Sequence, residues 1–131
     1  MQDSATAGFV EFISAHSVDA TLDRLTQLLA EKGITLFALV DHSGEAARAG
    51  LHMRPTKLVL LGNPRAGTPV MVATPSSAID LPLKILIAED EMGAVRVTCN
   101  SPEYLAERHH IPPALIQSLG AATLLAQAAA Q

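Results

Sequence analysis

The segment KLVLLGNPRAGTPVMVATPSSAIDLP, residues 57–82, decides the fold of this chain. It begins with the apolar run Lys57–Leu61, which is typical of a strand. The run ends at the turn Gly62-Asn63-Pro64, and we expect Thr68 to cap a short helix with Pro69 at its first position. A strand that leads through such a turn into a helix leaves backbone N–H groups exposed. Any ligand site is therefore expected in this segment or beside it.

The chain before this segment predicts a strand followed by a helix. Residues 1–7 are small and polar and are expected to form a flexible N-terminus, while residues 8–131 form a single domain. Residues 8–15 alternate in polarity, as a strand does. A helix then begins with Ser17 as its cap and ends at Gly33, with leucines at helical spacing between them.

Two further regions carry strand patterns. Residues 34–42 are apolar on both faces, which favours an inner strand, and Ser43 is expected to cap the short helix that follows. Residues 82–89 and 94–99 flank a turn that contains Gly93 and predict a β-hairpin.

Two helices complete the predicted domain. Ser101 is expected to cap the first, and the second covers residues 114–129. The alanines at the end of that helix are poor at burying themselves, so we expect them to pack on a partner or fray. The fold class is α/β (α+β mixed), with about five strands in a mixed sheet and helices packed on it.

Composition excludes several classes of protein. Of 131 residues, 49% are hydrophobic and 17% are charged, which excludes a disordered chain. The net charge of −4 argues against nucleic acid and anionic membrane surfaces as partners. No stretch is expected to span a bilayer and no leader is evident, so a cytoplasmic location is predicted. The high apolar content of so small a chain predicts a homodimer.

Polar residues at three turns are candidates for a site. Asp41-His42 ends a predicted strand, where His42 could act as a general base or a ligand, or both residues could simply end the strand. Asn63 and Thr68, with Arg65 as an anion partner, could hold a phosphate, although the spacing of a P-loop is absent. Asp80 could add a carboxylate, or it could only form a turn.

The histidines and the cysteine give no metal motif. No pair of histidines has the spacing that one metal ion needs, and no pattern identifies a cofactor. On a helix, His109 and His110 cannot both face inward. The single cysteine, Cys99, excludes an internal disulfide and is expected to be a buried thiol.

A set of short motifs occurs together in this chain: Asp41-His42, Ala46, Gly50, Pro55-Thr56, Gly62-Asn63-Pro64, Gly67-Thr68, Asp80-Leu81-Pro82 and Arg108-His109. With these motifs the chain resembles the bacterial and archaeal family of the domain of unknown function DUF302, over nearly its whole length from Ser17 onward. The resemblance implies a small single-domain α/β protein, often dimeric, without an established activity. It also implies a tyrosine where this chain has Cys99.

Three functional hypotheses follow. The first is a homodimer that binds a small molecule, anionic in one version, at converging polar turns. The second is an enzyme with His42 as acid/base beside Asp41. The third is an interaction module whose polar turns only hold the fold. The residues expected to contact a ligand are His42, Asn63, Thr68, Asp80, Arg108 and His109.

Overall fold

The computed structural model describes residues 2–4 and 8–131, in which α1 and α5 pack against an antiparallel sheet. The strands are β1 (Gln2–Ser4), β2 (Phe9–Ser14), β3 (Thr35–Asp41), β4 (Thr56–Gly62), β5 (Leu83–Glu89) and β6 (Val95–Asn100). The helices are α1 (Val18–Lys32), α2 (His42–Arg48), α3 (Pro64–Ala73), α4 (Pro102–His109) and α5 (Ala121–Ala130). Two 3₁₀ turns, Pro75–Ile79 and Pro113–Leu119, complete the described elements. The predicted flexible segment 1–7 lies largely outside the described residues.

The strand order is β1-β2-β6-β5-β4-β3, and every neighbouring pair is antiparallel. The predicted α/β class and the β5–β6 hairpin are confirmed. The prediction of a mixed sheet is wrong. A helix between two strands suggested a parallel crossover, but α1 carries the chain from β2 to the far edge, where β3 starts the antiparallel run β3-β4-β5-β6.

Strand β3 is an edge strand, so its predicted inner position is also wrong. Leu36, Phe37 and Leu39 are 44%, 49% and 45% exposed. A continuous apolar run does not distinguish a strand covered on both sides from an edge strand that leaves apolar side chains open.

The helix caps explain where the chain turns after β3 and β4. Asn63 caps α3 by accepting from the Arg65 N–H, and Pro64 takes the first helical position. The prediction of a cap at Thr68 is therefore wrong, and Pro69 lies inside the helix. Asp41 caps α2 in the same way, in place of the predicted Ser43.

The other predicted caps are confirmed. Ser17 accepts from the Ala20 N–H, and Ser101 accepts from the Tyr104 N–H. Gly33 ends α1 with φ of 65°, a left-handed conformation that glycine adopts without strain.

The predicted last helix is divided at Gly120 into a 3₁₀ turn and α5. The expectation that its alanines fray or pack on a partner is wrong, because α5 packs on α1, β2 and β6, with Ala126 and Ala129 fully buried. Arg24 of α1 donates to two carbonyls at the end of α5.

By length and composition the stretch Pro113–Ala130 could cross a membrane, contrary to expectation, although a core helix passes the same test.

The sheet register fixes where the polar turns lie. Thr35 pairs with Gly62, and Asp41 pairs with Lys57. Since six residues of a strand span about 20 Å, the Asp41 turn and the Asn63 turn lie at opposite ends of the β3–β4 pair. The core beneath them consists of fully buried side chains such as Val59, Leu61, Ile85, Ile87 and Val97.

Candidate functional site

A cavity of about 500 Å³ lies at the end of the sheet where β4 runs into α3. This volume lies within the range of small-molecule sites in proteins. The end of α1, the start of β3, the segment before β5 and the turn 113–119 complete its walls. Most of the lining is apolar, with large contributions from Phe37, Met71, Leu81, Leu83 and Leu119.

Four polar side chains interrupt this apolar lining: Lys32, Asn63, Gln117 and Ser118. Lys32 is the only charged group among the described residues that line the cavity. Asn63 uses its side-chain oxygen to cap α3, 2.9 Å from the Arg65 nitrogen. Its amide NH₂ donates to no protein acceptor among the described residues, so it can donate to a ligand. The cavity suits an apolar molecule with one polar or anionic end.

The first turn of α3 does not provide the expected exposed N–H groups. The N–H groups of Ala66 and Gly67 both donate to the carbonyl of Asn63, at 2.9 Å, and Pro64 has no N–H. An anion in the cavity would therefore depend on Lys32 and the Asn63 amide. Arg65, the predicted anion partner, is exposed and does not line the cavity.

A second polar cluster joins the 3₁₀ turn 75–79 to the end of α4. The Nε2 atom of His109 lies 2.5 Å from Oδ2 of Asp80, and its Nδ1 atom lies 2.8 Å from the Ser76 hydroxyl. Arg108 places a guanidinium nitrogen 3.4 Å from the same Asp80 oxygen. His109 is 8% exposed whereas Ser76 is exposed, so a buried imidazole connects a half-buried carboxylate to a surface hydroxyl. The neighbouring His110 is exposed, in agreement with the expectation that only one of the two faces inward.

The Asp41 turn takes no part in the lining of the cavity. The Asp41 carboxylate accepts from the Gly44 N–H and the Ser43 hydroxyl, both at 2.9 Å. These two hydrogen bonds hold the pKa of Asp41 below its ordinary value. His42 is exposed, and its ring makes no hydrogen bond within the described residues. At this turn the observations favour the role of a strand end and helix cap.

The predicted ligand residues thus fall into separate places. Asn63 lines the cavity, and Asp80, Arg108 and His109 form the second cluster. His42 lies at the opposite end of β3, and Thr68 is exposed on α3 outside the cavity lining. The predicted convergence assumed parallel strands, whose carboxyl ends share one edge. In an antiparallel pair the end of β3 lies beside the start of β4 instead.

Two functional residues escaped sequence reasoning. Ser76 meets His109 across 33 positions, and no local motif marks that pairing. Lys32 lies at the end of α1 without any motif around it, and only the fold brings it to the cavity.

The predicted buried state of Cys99 is confirmed. Burial raises the pKa of its thiol, and its sulfur lies 3.8 Å from the Thr123 hydroxyl. No metal-binding group of three or more His, Cys, Asp or Glu side chains occurs in the described parts of the chain.

Comparisons with known proteins show what this chain is similar to. A family model described as "Domain of unknown function DUF302" matches residues 10–129. The crystal structure of an uncharacterized conserved DUF302 protein from Bacillus stearothermophilus superposes with a TM-score of 0.78, at 17% identity, over 95% of this chain and 97% of that one. At that identity the likeness concerns the fold.

Curated relatives carry a different description. "Fluoride-specific ion channel FluC 1" of Brucella suis biovar 1 (strain 1330) is 39% identical over 105 residues, which cover 80% of this chain and 41% of the relative. The protein of the same name from Brucella abortus biovar 1 (strain 9-941) is 39% identical over 105 residues and 39% of its own length. The chain therefore spans about two fifths of these relatives.

Proposed function

This chain belongs to the family of the domain of unknown function DUF302, and from that premise we propose that it binds a small amphipathic molecule in the cavity beside Asn63. The observation that carries the proposal is an apolar cavity of about 500 Å³ whose described lining contains a single charged group, Lys32. Apolar walls supply most of the binding free energy in such sites, and a few polar groups fix the orientation.

The polar groups define the class of ligand. The apolar body lies against Met71 and Leu119, and its polar end meets the Asn63 amide. Lys32 favours a carboxylate, sulfonate or phosphate at that end over a neutral or cationic group. His42 and Asp41 have no part in this site, because the register separates them from Asn63 by the length of β3.

Two fluorescent probes test the site. 1-Anilinonaphthalene-8-sulfonate combines an apolar aromatic body with an anionic group, and N-phenyl-1-naphthylamine is close to its uncharged counterpart. Fluorescence titration should show saturable binding of both, with one molecule per chain. Lys32→Ala should weaken the sulfonate about threefold to fivefold and leave the amine unchanged, because an exposed ion pair contributes up to about 1 kcal/mol.

The matched control is Arg48→Ala, which removes a positive charge at the opposite end of the sheet. Arg48 is 80% exposed, and among the described residues it forms an ion pair with Glu45 of its own helix alone. Equal weakening of both probes by Lys32→Ala, or the same loss in Arg48→Ala, would contradict the proposed role of Lys32. Non-saturable binding of both probes would contradict the site itself.

We also propose that two copies associate through the sheet face opposite α1 and α5. This face carries Phe9 and Ile13, which are 44% and 50% exposed, and half-buried leucines such as Leu58 and Leu86. Arg96 on this face is paired within the chain with Glu11 and Asp90, at 2.6 and 2.8 Å, and Lys84 donates to two carbonyls of its own chain, at 3.1 Å. A face with apolar side chains and internally paired charges suits a second copy of itself.

Native mass spectrometry tests this association. The wild-type chain should form a dimer at micromolar concentration, and Leu86→Lys should shift it to monomer. Leu124→Lys on α5 is the control, because Leu124 is 70% exposed on the other side of the molecule. A wild-type monomer, or a dimer that only Leu124→Lys disrupts, would overturn this arrangement.

A further inference from the structure

We propose that Ser76, His109 and Asp80 form a nucleophile, base and orienting carboxylate that hydrolyse small acyl esters at the protein surface. The three side chains are connected in a line by two hydrogen bonds, of 2.8 Å from the Ser76 hydroxyl to His109 Nδ1 and 2.5 Å from His109 Nε2 to Asp80. These are the distances that a nucleophile and its base require.

The hydrogen-bond chemistry fixes the tautomer. An ionised carboxylate only accepts hydrogen bonds, so Nε2 of His109 carries the proton that is donated to Asp80. Nδ1 then carries the free lone pair, and it accepts the hydrogen bond that the Ser76 hydroxyl donates. The roles of the two ring nitrogens are exchanged relative to the usual serine protease arrangement, but each nitrogen has the partner that its role requires.

Exposure follows the requirements of catalysis. The base is 8% exposed and is held on both sides, whereas the nucleophile lies on the surface where a substrate can reach it. The carboxylate is 17% exposed and is fixed by His109 and by Arg108, whose nitrogen lies 3.4 Å from Oδ2. Arg108 is half exposed, so it can turn toward the negative oxygen of a tetrahedral intermediate.

The reaction balances without any further reactant than water. Ser76 Oγ attacks the ester carbonyl carbon while its proton passes to His109 Nδ1, and the carbonyl electrons move to oxygen. Collapse of the intermediate breaks the bond to the alkoxy oxygen, which takes the proton from Nδ1. Water then attacks the acyl-serine with His109 as base, releasing the acid and restoring the Ser76 hydroxyl.

This site is separate from the ligand cavity. None of Ser76, Asp80 and His109 lines the cavity, although Leu81 and Leu119 contact both places. Small, solvent-accessible esters are the expected substrates because Ser76 is exposed and lies outside the cavity lining.

A fluorophosphonate probe tests the nucleophile directly. The probe forms an Oγ–phosphorus bond as fluoride leaves, and peptide mass spectrometry locates the modified residue. We expect the label on Ser76 of the wild-type chain, none in Ser76→Ala, and a labelling rate at least about a hundredfold lower in His109→Gln.

Two controls separate catalysis from structure. Ser17→Asn removes an exposed serine hydroxyl outside the cluster and the cavity while it keeps a capping side chain for α1, and it should keep full labelling. An exposed histidine alone can cleave p-nitrophenyl acetate, so His110→Ala is the second control. Hydrolysis of this ester should be lost in Ser76→Ala and kept in His110→Ala. Thermal melting should show Ser76→Ala folded. Should that variant fail to fold, the position of the label on the wild-type chain decides, and a label elsewhere than Ser76, or no label, overturns the proposal.

Discussion

The two ends of the β3–β4 pair have the same kind of helix cap, but they differ in the elements that pack against the capped helix. At each end a strand runs into a helix whose cap is an Asx residue, Asp41 for α2 and Asn63 for α3. Helix α3 meets the turn 113–119 and the segment before β5, which enclose a cavity. Helix α2 buries no residue at all. A polar turn therefore specifies a cap, and only the elements that pack across it make a ligand site.

The largest expected effect comes from filling the cavity. Ala66 lines it, so Ala66→Trp should reduce the affinity for 1-anilinonaphthalene-8-sulfonate at least tenfold by occupying the volume that the probe needs. Fluorescence titration measures the loss. The matched variant at the other end is Ala47→Trp, on the exposed side of α2, which should bind the probe as the wild type does. Retained binding in a folded Ala66→Trp would place the probe elsewhere.

Removal of the two caps should then separate the ends. Asn63→Ala should destabilise the protein by about 1 kcal/mol through loss of the α3 cap, and it should also weaken both probes. Asp41→Ala should lower the melting temperature and leave probe binding unchanged, since it lies far from the cavity. Chemical denaturation and titration of both variants give the comparison. Loss of probe binding in Asp41→Ala would show that the two ends are coupled.

Acid should lower the stability that the Asp41 carboxylate contributes to the folded chain. Hydrogen bonds from Gly44 and Ser43 lower the pKa of Asp41 in the folded chain. The stability they contribute is present above the unfolded pKa of about 3.9 and is lost as pH falls through the lower folded pKa. Melting temperatures from pH 6 to pH 3 should therefore fall more in the wild type than in Asp41→Asn, which cannot titrate. Parallel curves would contradict this.

The smallest effect is expected at His42. Its ring is exposed and makes no hydrogen bond in the described residues, so His42→Ala should change the free energy of unfolding by less than about 0.5 kcal/mol. Probe affinity should also stay unchanged. A loss of binding or of ester hydrolysis in this variant would restore the hypothesis that His42 is the acid/base or the ligand contact.

Local sequence signals predicted local structure well. Ser17, Gly33 and Ser101 mark helix ends because their cap geometry depends on a few neighbouring residues. The hairpin β5–β6 follows from its turn chemistry. Asn63 and Asp80 were recognised as candidates because a polar residue at a strand end is visible without the fold.

The failures share a cause, which is contact between segments that are distant in sequence. Periodicity does not distinguish an edge strand from an inner one, so the predicted position of β3 is wrong. Nor does it distinguish parallel from antiparallel pairing, which decides where His42 lies relative to Asn63. Ser76 and Lys32 carry no motif and acquire a role only through α4 and the cavity walls. The buried alanines of α5 depend on α1 packing closely over small side chains.

The most direct test of the central claim uses three of the four methionines as reporters. Met71 lines the cavity, while Met53 and Met92 are 48% and 87% exposed away from its lining. NMR spectra of the chain with ¹³C-labelled methionine methyl groups would be recorded during titration with 1-anilinonaphthalene-8-sulfonate. The proposed site predicts a saturable shift of the Met71 methyl signal, with the signals of Met53 and Met92 unchanged. Shifts at Met53 or Met92 without a shift at Met71 would contradict it.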